Sequence, residues 1–77
     1  MSLYDDVVGV AKMYMGPAAH RFMSRQVTVH LGVQEAQLEV KHVEELGELC
    51  YKNSKMFMPE DKALQFGEKI KLLGKFS

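Results

Sequence analysis

Seventy-seven residues, with ten Lys and Arg balanced by ten Asp and Glu and a single cysteine, make room for one domain, 1–77, and for no disulfide framework. A chain this short buries only about 60% of its unfolded surface, so tight helix packing or association with a second copy must add to its stability. A net charge of zero argues against a protein whose main task is gripping a phosphate backbone.

The lone thiol, Cys50, suits a reducing compartment, most simply the cytoplasm. The longest strictly apolar run, Val7 to Ala11, is far short of the roughly 20 residues a membrane span needs. Asp5 and Asp6 stand where a secretory signal would carry basic residues, so neither a span nor a signal is expected. Charge is nonetheless laid out in blocks. Residues 7–34 hold no acid and carry Lys12, Arg21 and Arg25, whereas residues 35–48 hold five Glu against Lys41. Such blocks can pair within the fold or between protomers.

In chain order, the first predicted helix spans about 3–15. Ser2 and Asp5 form a capping box, and Leu3, Val7, Val10, Ala11 and Tyr14 make an apolar stripe. Gly9 weakens this helix unless another backbone packs closely there. The second helix, about 17–31, opens on Pro17, buries Ala19, Phe22, Met23, Val27 and Leu31, and stops at Gly32 in the left-handed conformation. Residues 33–39 read as a connector anchored by Leu38. The third helix, about 40–55, buries Val43, Leu46, Gly47, Cys50 and Ser54. The fourth, about 59–74, opens on Pro59, Glu60 and Asp61, buries Ala63, Phe66, Gly67, Ile70 and Leu73, and ends at Gly74. No segment alternates with period two, so the expected fold is all-α, a small four-helix bundle of two helical hairpins.

Two near-identical phrases mark the hairpin turns: Lys12-Met13-Tyr14-Met15-Gly16-Pro17 and Lys55-Met56-Phe57-Met58-Pro59. In an up-and-down bundle both turns fall at one end, so Met13, Tyr14, Met15, Met56, Phe57 and Met58 should converge there. Helical residues two apart point about 200° from each other, so one methionine of each pair should lean outward. These side chains either cap the core or form a Met-rich contact patch for a protein partner, a second copy of the chain included.

A second candidate surface is the polar face of helix two, His20, Arg21, Ser24, Arg25 and Thr28. Its plain reading is a solvated face or one paired with the Glu-rich residues 39–48. Its functional reading is a nucleic-acid-binding face, although two arginines are few for that role. Glu39 and His42 have the Glu-x-x-His spacing of di-iron bundles, but the further pairs such a site requires are absent, so a metal-binding bundle is a remote alternative. Cys50 sits on a buried stripe, as a small core residue would. With no phosphate loop, nucleophile elbow or paired inward carboxylates, no enzyme activity and no cofactor is expected. The sequence thus points to a small cytoplasmic protein-interaction or regulatory domain, self-associating as a homodimer.

Overall fold

A computed structural model describes residues 2–75, which are mostly helical, with no strand among them. Helix α1 (Leu3–Met15) starts as its sequence dictates. The Asp5 N–H donates to Ser2 Oγ at 3.1 Å and the Ser2 N–H donates to Asp5 Oδ2 at 3.4 Å, closing the capping box. The helix stops at Gly16, whose φ of +58° a side chain would disfavour.

The second helix is not the single α-helix over 17–31 that the pattern predicts. A 310 turn at Gly16–Ala18 leads into a short helix α2 (Ala19–Arg25), which widens into a π-turn at Gln26–His30. The Leu31 N–H accordingly donates five residues back, to the Gln26 carbonyl at 2.9 Å. Two features loosen the chain at this point. Val27, Thr28 and Val29 are β-branched and crowd an α-helical turn, and the Thr28 hydroxyl donates to the Ser24 carbonyl at 2.7 Å. Gln26 itself is buried, and its Oε1 accepts from Asn53 Nδ2 at 2.6 Å, which ties the π-turn to the third helix. Gly32 then takes the expected left-handed conformation, with φ +76°.

Residues 33–39 form the expected connector, with a 310 turn at Glu35–Gln37 and with Leu38 buried as an anchor. The third helix, expected from 40, opens instead as a 310 turn at Val40–His42, where His42 Nδ1 accepts the Glu39 N–H. Helix α3 (Val43–Ser54) follows and ends one residue before the predicted limit. Helix α4 (Glu60–Leu73) begins after Pro59 with two acids in its first turn, which suits the helix dipole.

The predicted apolar stripes face the core, but Phe22 and Leu31 of the second helical run and Leu73 of α4 are only half-buried against it. Val43, Leu46, Gly47, Cys50 and Ser54 of α3 and Ala63, Phe66, Gly67 and Ile70 of α4 are all buried. On α1 the buried face is shifted from the predicted stripe: Tyr4 and Val8 join Val7 and Ala11 in the core, while Leu3, Val10 and Tyr14 are half-buried against it. Helices α3 and α4 form the tightest pair, and α1 packs on both α2 and α4.

The closeness of the α3–α4 pair comes from two glycines. A Cβ placed on Gly47 would stand 2.7 Å from the Gly67 carbonyl oxygen, and one on Gly67 would stand 2.7 Å from the Gly47 carbonyl oxygen. Beside this crossing, Lys71 reaches across from α4. Its ammonium lies 3.5 Å from the carboxylates of Glu44 and Glu68 and hydrogen-bonds Glu48. No helix among the described residues is long and apolar enough to cross a membrane.

Candidate functional site

The two phrases, at the end of α1 and in the turn after α3, do meet, but only in part. Met15, at the end of α1, and Phe57, in the turn after α3, line one hollow of about 310 Å³. Phe22 forms its floor. The Phe22 ring meets Phe57 edge to face at 5.7 Å and leans on the core residue Phe66 at 5.9 Å. The remaining lining residues are Ala18, Arg21 and Arg25.

One methionine of each pair does lean outward, by helical parity on α1 in the first phrase and in the turn beyond α3 in the second. Met13 is 68% exposed while Met15 is half-buried, and Met56 is 84% exposed while Met58 is half-buried. Tyr14 is drawn inward instead. Its ring packs on Phe66 at 5.3 Å, with the Lys69 ammonium 6.0 Å from its centre. In the other turn, the N–H groups of Phe57 and Met58 both donate to the Ser54 carbonyl at 3.0 Å. That clasp leaves Phe57 on the outside, 57% exposed.

Part of the polar face of α2 is engaged by its own surroundings. Ser24 donates to Glu35 Oε2 at 2.5 Å, a short charge-assisted bond that fastens the connector to α2. Thr28 is turned back onto the helix, as described above. The His20 ring stands edge-on to Tyr4 at 5.8 Å. What remains is Arg21 and Arg25, one helical turn apart and exposed. Among the described residues the ion pairs all centre on Lys71, so neither arginine has a carboxylate partner. Of the two plain readings of this face, solvation fits the exposed Arg21 and Arg25, and among the described residues no ion pair with residues 39–48 forms; the acid that reaches α2 is Glu35, which accepts from Ser24.

Two candidate surfaces that the sequence presents as alternatives thus share one place. Phe22 joins them, lying between Arg21 and Arg25 on α2 and touching Phe57 across the hollow. The sequence pattern assigns Phe22 to the core stripe. Its neighbours in the chain, one arginine before it and another three residues after, were the available sign that it borders a charged edge.

The other candidates resolve into local structure. His42 Nδ1 accepts the Glu39 N–H at 2.9 Å, so the Glu-x-x-His pair caps the start of the third helical run. Among the described residues no three His, Cys, Asp or Glu side chains gather as metal ligands would. Cys50 is fully buried, 3.9 Å from the Met23 sulfur, and burial pushes its thiol up to about 12. The thiolate that nucleophilic chemistry requires is therefore suppressed at neutral pH. Tyr4 is buried with its hydroxyl lacking a hydrogen-bond partner, and burial together with the nearby Glu35 carboxylate raises its pKa.

No known protein family, no curated protein and no solved structure matches this chain.

Proposed function

We propose that this chain is a small, non-enzymatic protein-interaction domain, a bundle of two helical hairpins that receives a partner polypeptide at the hollow between Met15, Phe22 and Phe57. The observation that carries this reading is Phe57. A large aromatic side chain is held more than half exposed by two main-chain hydrogen bonds at its turn, beside an apolar hollow it helps to form. Exposed aromatic and methionine side chains around a pocket are what interface anchors are made of. A reducing compartment such as the cytoplasm suits the single buried thiol. Replacing Phe57→Glu and Met15→Gln should abolish partner association while helical circular dichroism stays at the wild-type level. A variant that retains the same partners in the same amounts would overturn the proposal.

Self-association is a second reading. It rests on the small size of the core and on Leu64 and Leu72, two turns apart on α4 and both exposed. Light scattering at rising concentration tests it: a mass that doubles supports a dimer, and a mass constant at 8.8 kDa removes it.

A further inference from the structure

The hollow has a sign as well as a shape. Its apolar surface comes from Met15, Ala18, Phe22 and Phe57, and its only charged lining residues are Arg21 and Arg25. No acidic side chain lines it, and among the described residues no carboxylate neutralises either guanidinium. An occupant that filled the hollow with an uncharged side chain would leave two arginines at its edge unanswered. One that carried carboxylates beside an apolar anchor would bury the anchor and meet both guanidinium groups, which favour bidentate carboxylate pairing.

The same charge argues about symmetry. A two-fold dimer built across this end would set Arg21 and Arg25 of both copies on one seam, four positive groups with no acid among the hollow's lining. Like charges placed face to face at an interface oppose association. The second copy is therefore the poorer occupant here, whatever other faces of the chain do.

We infer that the hollow binds an acidic amphipathic segment of another protein, with one or two large apolar side chains seated on Phe22 and Phe57 and flanking Asp or Glu side chains paired with Arg21 and Arg25. This inference rests on the interaction reading above and adds the chemistry of the partner. The spacing of the arginines, four residues apart on α2, matches carboxylates one turn apart on a helix laid alongside, the helix-in-groove mode of recognition. The hollow's volume, about 310 Å³, is at the low end of the roughly 300–1,000 Å³ of ligand sites and suits side-chain anchors.

The test uses the whole chain and synthetic peptides read by fluorescence anisotropy. One peptide carries Leu and Phe anchors among Glu residues, a second replaces each Glu by Lys, a third replaces the anchors by Ala, and a short DNA duplex is the fourth probe. The first peptide should bind, with affinity falling as salt rises, and the other three should bind at least about tenfold more weakly. Arg21→Glu with Arg25→Glu should weaken the first peptide about tenfold or more, and Arg21→Gln with Arg25→Gln should fall between that variant and wild type. Equal binding of the Lys peptide, preferential binding of the duplex, no binding of the Glu peptide, or indifference to the arginine variants would each overturn the inference. A partner lost on Phe57→Glu but retained by the arginine variants would overturn the acidic-partner inference alone. A partner retained on Phe57→Glu would overturn the interaction reading beneath it.

Discussion

Phe22 and Phe57 meet edge to face at 5.7 Å, although one belongs to the second helix and the other to the turn before the last. The contact is unequal. Phe22 is half-buried and also rests on Phe66, whereas Phe57 is more than half exposed. Phe57→Ala should therefore cost about 1 kcal/mol or less, the worth of one aromatic pair at the surface. Phe22→Ala, which opens space above Phe66, should cost about 2–4 kcal/mol. Urea unfolding followed by circular dichroism measures both, and equal costs would mean that Phe57 serves the core rather than the surface.

The crossing of α3 and α4 depends on hydrogen at two positions. In most helices Gly→Ala gains about 1 kcal/mol of propensity. At Gly47 or Gly67 the new methyl would lie 2.7 Å from the facing backbone carbonyl, too close for either helix to keep its place. Gly47→Ala and Gly67→Ala should each destabilise by about 1–3 kcal/mol net, as overpacked cores do. A lower urea midpoint in both variants is the expected result.

Gly9 is the opposite case. It lies in mid-helix on α1, exposed, and a Cβ there would meet no atom within 4 Å. The close backbone approach that would justify a glycine does not occur. Gly9→Ala should stabilise the protein by about 0.5–1 kcal/mol, mostly through the unfolded chain's lost freedom. Thermal unfolding should show a higher midpoint with unchanged helical signal.

Alkaline pH should unfold the protein through protons that the folded state holds too tightly. Burial pushes Cys50 from 9.0 to about 12, burial also raises Tyr4 from its ordinary 10.0, and the bond to Glu48 raises Lys71 from 10.5. Each folded pKa lies above the unfolded one, so the unfolded chain releases its proton first as pH rises. Stability is thus complete below pH 9 and falls between 9 and about 12. Cys50 alone accounts for a loss of about 4 kcal/mol by the top of that window, comparable with the whole stability of a small domain. Cys50→Ala should flatten this decline in urea titrations run from pH 8 to 12, and an unchanged slope would contradict the buried-thiol explanation.

Helix faces were legible because period 3.6 and burial are the same fact seen twice. The stripe Val43, Leu46, Gly47, Cys50 and Ser54 reads from spacing alone and is buried without exception. The capping box at Ser2 and the left-handed Gly32 were equally plain, since each is local chemistry. The π-turn at Gln26–His30 was legible only in part: the β-branched run Val27, Thr28, Val29 is local, whereas the bond from Asn53, 27 residues away, to the buried Gln26 is not. The hollow was half legible. Direction of helices brings Met15 and Phe57 to one end, but nothing in the spacing says that Arg21 and Arg25 turn towards that end and not towards the Glu-rich block. The fold supplies what the spacing lacks: Glu35 accepts from Ser24, and among the described residues no carboxylate pairs with either arginine.

The most direct measurement of the docking hollow is photo-crosslinking in living cells from benzoylphenylalanine placed at Phe57, with the same probe at exposed Lys62 as control. A polypeptide joined at position 57 and absent at 62, identified by mass spectrometry, is the expected result. Position 57 yielding no crosslinked polypeptide, or the same products as position 62, would contradict a docking role for this end of the molecule.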